Sequence, residues 1–117
     1  MLTSKESAHL AVKALDDKLA RDIQILKTDK VTVLADYFIL CTAGNSTHGK
    51  TLADEVDKVL SQAGEKPLRR EGYRSGGWTL LDFGCVVVHI FSEEMRSFYS
   101  LDRLWSDAEK IDYKDFL

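Results

Sequence analysis

Asp82, Cys85 and His89 are the residues whose types and spacing come nearest to an acid, a nucleophile and a base. Such a set needs side chains within hydrogen-bond reach of one another. Cys85 belongs to a predicted tight turn, and His89 lies four residues further along the strand that follows. Four extended residues span ~13 Å, so the pattern argues against catalysis, and we expect no enzyme activity.

The histidines do not form a metal-binding pattern either. His9, His48 and His89 fall on different predicted elements, and the sequence contains no Cys-x-x-Cys or Asp-x-Asp pair. Metal sites in proteins need several such ligands at short, regular spacing or brought together by the fold. We therefore expect no metal and no cofactor.

Two segments have weak phosphate-binding character. The turn over residues 42–46 joins a predicted strand to a helix, and helix N-termini attract anions, but it lacks the Lys and the several glycines of a P-loop. An ordinary turn is the favoured interpretation. Arg69, Arg70 and Arg74 form a small basic cluster; solvated surface is the simpler interpretation, and a minor contact with RNA phosphates is the alternative.

The length and composition of the chain are typical of a small folded protein. The chain has 117 residues, of which 44% are hydrophobic and 30% charged, with a net charge of −3. A protein that mainly neutralised phosphates would be basic, so a basic protein is a better partner for this chain than bare RNA. We expect Cys41 and Cys85 to be buried, reduced thiols of a cytoplasmic protein, or of one in an organelle matrix.

The hydrophobic pattern predicts an α/β fold with one mixed sheet flanked by helices. Helices are predicted from Ser4 to Ala20, where Thr3 and Glu6 form a capping box, over about 46–63 and over 93–99. A continuous apolar run over 37–41 predicts a central strand buried on both faces. The other strands are predicted over 22–27, 67–70, 78–83 and 86–91. We expect one domain over 1–107 and a loosely attached tail over 108–117.

The hairpin of the strands 78–83 and 86–91 has a derivable register. Gly84 and Cys85 fit a two-residue type II′ turn, which makes Leu81 oppose Val88. That face is almost wholly apolar, so it should point to the core. The other face pairs Trp78 with Phe91, Leu80 with His89 and Asp82 with Val87. Such a mixture is typical of a binding surface, although a covering helix would explain it equally well.

Several segments together resemble the ribosomal silencing factor family, also called the Iojap-related family. They occur in family order and with family spacing: residues 35–42 (ADYFILCT), 53–56 (ADEV), 71–73 (EGY), 78–84 (WTLLDFG), 86–91 (VVVHIF) and 99–105 (YSLDRLW). The resemblance runs from the first helix to about Asp107.

The resemblance implies a fold similar to nucleotidyltransferases, without their catalytic residues. It also implies binding to ribosomal protein L fourteen of the large subunit, a steric block on joining of the small subunit, and a homodimer in isolation. We expect the interface on the second hairpin face and the C-terminal helix, with Asp82 meeting a basic partner side chain: Trp78, Leu80, Asp82, His89, Tyr99 and Leu101. The alternatives are a large-subunit assembly factor and a nucleotidyltransferase-like enzyme.

The chain departs from the family at two positions. Cys85 stands where the family usually has Asp, which removes one carboxylate from the hairpin turn. Gly49 stands where helix two usually has an apolar residue. Gly weakens a helical turn by ~1 kcal/mol, so we expect this helix to begin nearer Lys50.

Overall fold

The structure is a computed structural model that describes residues 2–28, 35–72, 78–98 and 109–117. Its helices are α1 (Ser4–Asp17), α2 (Ser46–Gln62) and α3 (Glu93–Phe98), followed by a 3-10 helix (Tyr113–Phe116). Its strands are β1 (Arg21–Lys27), β2 (Tyr37–Ala43), β3 (Arg69–Glu71), β4 (Trp78–Asp82), β5 (Val86–Ser92) and β6 (Glu109–Ile111).

These strands form one mixed sheet, which confirms the predicted fold class. The strand order is β3-β4-β5-β2-β1-β6. β2 and β5 run parallel at the centre, and their neighbours are antiparallel. The central pair is buried on both faces, as the apolar run over 37–41 predicts.

The first sheet face carries the main core and is covered by α1 and α2. Leu15 of α1 and Val56 of α2 pack there against Ile39, Leu81 and Val88, and all five are fully buried. We call the opposite side the second sheet face. It carries a smaller cluster of Leu26, Leu40 and Phe91, against which Phe38, Trp78 and Met95 pack.

α1 begins as predicted and ends earlier than predicted. The capping box is present: the Thr3 side chain accepts the Glu6 N–H, and the Glu6 carboxylate accepts the Thr3 N–H. The helix stops at Asp17 rather than at Ala20, because the chain must turn into β1. Leu19 makes this turn with a φ of 64°, and the Ala20 N–H then donates to the Leu15 carbonyl at 2.9 Å.

α2 begins at Ser46, as the hydrophobic pattern predicts, and the expected shift of its start towards Lys50 by Gly49 is wrong. The helix starts at Ser46, where the Asn45 side chain accepts the His48 N–H at 2.7 Å. The Gly49 N–H donates to the Asn45 carbonyl at 2.9 Å. A strong N-cap offsets the weak helix propensity of glycine, because the two effects are each worth ~1 kcal/mol.

The C-terminal segment is part of the fold, and the prediction of a loosely attached tail is wrong for its described residues. β6 pairs antiparallel with β1, Ile111 lying opposite Ile25. Phe116 is buried and meets the ring of Tyr37 edge-on, with ring centroids 5.7 Å apart. A three-residue strand has too little periodicity to be read from sequence, and burial of Phe116 anchors it.

We expect Phe116→Ala to lower the free energy of unfolding by about 3 kcal/mol, because it empties a buried aromatic position. Leu117→Ala is the control, since Leu117 is half exposed and its truncation should change stability by less than ~0.5 kcal/mol. Denaturant titration measures both. Equal effects of the two truncations would show that residue 116 does not anchor the segment.

Candidate binding surface

The β4–β5 hairpin has the predicted register. Trp78 lies opposite Phe91, Leu80 opposite His89, and Asp82 opposite Val87. The Phe83 N–H donates to the Val86 carbonyl at 2.9 Å, and Gly84 has a φ of 88°, as the first central residue of a type II′ turn requires. The two predicted faces therefore lie on opposite sides of the sheet.

Four rings form an aromatic group on the second sheet face. The Trp78 indole stacks on Phe91 with centroids 5.3 Å apart and planes 29° apart. The His89 imidazole lies 6.0 Å from Trp78, 6.1 Å from Phe91 and 5.2 Å from Phe38. Phe91 is fully buried, whereas Trp78 is partly exposed at the surface of the group.

His89 is neutral at physiological pH and holds the indole of Trp78. Burial lowers the pKa of His89 from 6.5 to about 4, and the negative charge of Asp82 opposes this shift without cancelling it. The Trp78 Nε1–H donates to His89 Nδ1 at 3.2 Å. Since Nδ1 accepts, the ring hydrogen is on Nε2, and Nε2 has no hydrogen-bond partner among the described residues.

A shallow depression of about 360 Å³ lies beside the aromatic group. It is lined by the apolar side chains of Trp78, Leu80 and Met95 and by Glu71 and Gly72. Gly72 has a φ of 84°, and a Cβ there would come within 1.9 Å of the Trp78 carbonyl oxygen. Only glycine therefore lets this part of the lining approach β4 so closely. Met95 shows that α3 covers part of this face, while Trp78 and Leu80 stay partly exposed.

Asp82 is engaged within the chain. One of its carboxylate oxygens accepts the Gly84 N–H at 2.8 Å, which supports the hairpin turn. The other lies 3.2 Å from an Arg69 guanidinium nitrogen. The predicted contact of Asp82 with a basic partner stays a prediction, and the partner's cation would have to compete with Arg69.

Two of the three arginines of the basic cluster are also paired with acids of this chain. Arg69 lies 3.8 Å from Glu71 as well as near Asp82. Arg70 lies 2.6 Å from Asp54 and 3.2 Å from Asp57, which ties β3 to α2. Arg74 is outside the described residues. This pairing reduces the positive charge offered to RNA, and the predicted RNA contact stays untested.

The turn over residues 42–46 and the other histidines do not gather into a second site among the described residues. The turn before α2 uses its Gly44 N–H to bond His48 Nδ1 at 2.9 Å, and His48 Nε2 in turn lies 2.7 Å from the Lys18 carbonyl. Within the described ranges, no three His, Cys, Asp or Glu side chains gather as a metal site would require. None of the helices described has the length and apolarity to span a bilayer.

The structure brings Trp78, Leu80, Asp82 and His89 together on one face, while Tyr99 and Leu101 lie outside the described residues. Phe38 and Met95 belong to the same surface and were not predicted. The continuous apolar run of β2 conceals which of its residues face which side. Met95 could have been found from Ser92, whose side chain caps α3 by accepting the Met95 N–H and so places Met95 in the first turn of that helix.

The low pKa of His89 predicts that the protein loses stability in mild acid. The unfolded chain takes up a proton near pH 6.5, whereas the folded chain resists it until about pH 4. The His89 contribution is therefore fully present above pH ~6.5 and falls by about 3 kcal/mol as the pH drops to about 4.

Denaturant titrations across this pH range measure the loss, and His89→Gln should flatten the profile. His9→Gln is the matched control: it removes an imidazole from α1, and the fall of about 3 kcal/mol that His89 causes should remain. An identical profile for the native protein and for His89→Gln would contradict the assignment.

Comparison with known proteins places this architecture in a family. The sequence profile of the family described as "Ribosomal silencing factor during starvation" matches residues 1–117. Ribosomal silencing factors from Halalkalibacterium halodurans and Bacillus subtilis are 35% and 34% identical over 111 residues, each alignment covering 95% of this chain and 95% and 94% of theirs. One from Chromobacterium violaceum is 38% identical and covers 86% of this chain and 83% of its own.

Two solved structures share the fold of this chain. A crystal structure of a Chromobacterium violaceum protein has a TM-score of 0.87 at 36% identity, covering 90% of this chain and 88% of that one. A second, from Bacillus halodurans, has a TM-score of 0.78 at 34% identity, covering 88% of this chain and 93% of that one. The match of both sequence and fold over nearly the whole length shows that this chain belongs to the ribosomal silencing factor family.

Proposed function

We propose that this protein represses translation by binding the large ribosomal subunit through ribosomal protein L fourteen and sterically blocking joining of the small subunit. Membership of the silencing factor family supports a ribosome-associated role. The observation that carries the proposal is the partly exposed Trp78, held on a buried aromatic base beside an apolar depression.

This geometry suits an interface anchor. Residues that dominate binding energy are often tryptophans at the centre of an apolar patch surrounded by polar groups. Trp78 stacks on the fully buried Phe91, so its ring is already ordered before a partner arrives. An ordered anchor loses less conformational entropy on binding than a mobile one.

The charges around the depression fit a basic partner. Glu71 lines the depression and is exposed, and Glu71 and Asp82 share a single described cation, Arg69, so this group keeps a negative charge. The whole chain carries a net charge of −3. Charge complementarity of this kind mainly speeds association and sets orientation. Trp78 and Leu80 would supply the apolar contact, Asp82 and Glu71 the acidic one, and the predicted Tyr99 and Leu101 would extend the surface along the chain.

Two alternatives receive no specific support from the described residues. An assembly factor for the large subunit would use the same surface at another time. A nucleotidyltransferase-like enzyme needs several carboxylates to hold its metal ions, and no such group occurs among the residues that the structure describes.

We expect the protein to lower the fraction of joined ribosomes when it is added to purified subunits, without consuming nucleotide. Gradient profiles or light scattering measure joining, and a phosphate-release assay monitors nucleotide. Normal joining at saturating protein would contradict the proposed mechanism, and nucleotide hydrolysis by the purified protein would favour the enzyme.

We expect Trp78→Ala to leave the fold intact and to weaken large-subunit binding by about 2 kcal/mol, roughly thirtyfold in Kd. Leu81→Ala should do the opposite, lowering stability by about 2–5 kcal/mol through a core cavity while the folded protein still binds. Leu19→Ala is the surface control, since Leu19 is 78% exposed in the turn after α1. Thermal melts and subunit binding are measured side by side. If Trp78→Ala unfolds, or binds as tightly as the native protein, the interface must lie elsewhere on the protein.

A further inference from the structure

The buried imidazole of His89 is an unusual choice for its position. It is 4% exposed and lies among the rings of Phe38, Trp78 and Phe91. Its Nε2–H has no hydrogen-bond partner among the described residues, and a buried unpaired donor is unfavourable. An aliphatic side chain would fill the space without leaving such a donor.

What His89 does, and an aliphatic residue cannot, is accept the indole N–H of Trp78 at 3.2 Å. Folding alone does not require this bond. Trp78 is partly exposed, so water could serve its N–H if the ring were turned outwards. The bond instead fixes one orientation of the indole, the one in which it stacks on Phe91.

We propose that His89 is a positioning residue of the binding surface, which accepts the Trp78 N–H so that the indole offers a partner only its hydrocarbon surface. The inference rests on the proposed function and adds the chemistry of the contact. The partner group that meets Trp78 is an apolar side chain that enters the depression beside Leu80 and Met95. A carbonyl or carboxylate seeking an N–H donor finds none on this ring.

The indole–imidazole bond is tested first on the native protein by nitrogen NMR. Long-range ¹⁵N spectra at neutral pH should show His89 Nδ1 as the unprotonated nitrogen and Nε2 as the protonated one. A scalar coupling between Trp78 Nε1 and His89 Nδ1 across the hydrogen bond should be detectable. Protonated Nδ1, or rapid solvent exchange of the Trp78 indole N–H, would overturn the inference whatever the variants do.

The positioning role is then tested by large-subunit binding of three variants. His89→Leu removes the acceptor and should raise Kd about fivefold, as loss of one net hydrogen bond does. His89→Asn can present an amide oxygen near the place of Nδ1, and it should restore Kd to within about twofold of native. His9→Leu is the matched control, because it makes the same substitution on α1, which covers the opposite face of the sheet, and it should bind within about twofold of native.

A double-mutant cycle separates this inference from the proposed function. If His89 acts through Trp78, His89→Leu should have little further effect in a Trp78→Ala background. Trp78→Phe, which lacks the N–H, should bind far better than Trp78→Ala. If Trp78→Ala binds with the native Kd, the proposed binding surface is wrong. If Trp78→Ala binds more weakly but His89→Leu binds with the native Kd, the surface stands and the role of His89 is overturned. The same conclusion follows if Trp78→Phe binds as weakly as Trp78→Ala.

Discussion

The turn at Gly84 and Cys85 sets the register of two strand pairings at once. Its two residues determine that Leu80 opposes His89 in the antiparallel hairpin. The Cys85 carbonyl also accepts the N–H groups of Asp36 and Tyr37, at 2.8 Å and 3.2 Å, which places the start of β2 beside the start of β5. The parallel pairing that follows puts Leu40 next to His89 and Tyr37 next to Val86. Because side chains alternate along a strand, a slip of one residue in either pairing would mix the two faces.

The two faces of the sheet separate the main core from the proposed binding surface. The first sheet face buries aliphatic side chains under α1 and α2. The second sheet face has a small buried base of Leu26, Leu40 and Phe91, over which Trp78 and Met95 lie partly exposed. Trp78 stacks on Phe91 and donates to His89, so this face presents an apolar side chain held in one orientation. Those two properties are what an interface centre needs.

Features set by neighbouring residues could be predicted from the sequence, and features set by distant ones could not. The capping box of Thr3 and Glu6 and the register around Gly84 depend on residues within a few positions of each other. The pairing of Arg70 with Asp54 and Asp57 joins a strand to a helix, and no pattern of neighbouring residues predicts it. The same holds for the engagement of Asp82 by Arg69, which makes an apparently available carboxylate part of a surface network. The bond from Trp78 to His89 lies between these cases, because the register predicted that the two residues share a face but not that their rings would bond.

The position of β6 imposes an order on the folding of a newly made chain. β6 pairs with β1, which is synthesised more than eighty residues earlier. The backbone edge of β1 that receives it therefore stays unpaired until the ribosome has added residues 109–111. An unpaired strand edge is a template for pairing with other chains, and contacts so distant in sequence form slowly. This protein thus completes that edge of its sheet only after the ribosome has synthesised all the other strands that the structure describes.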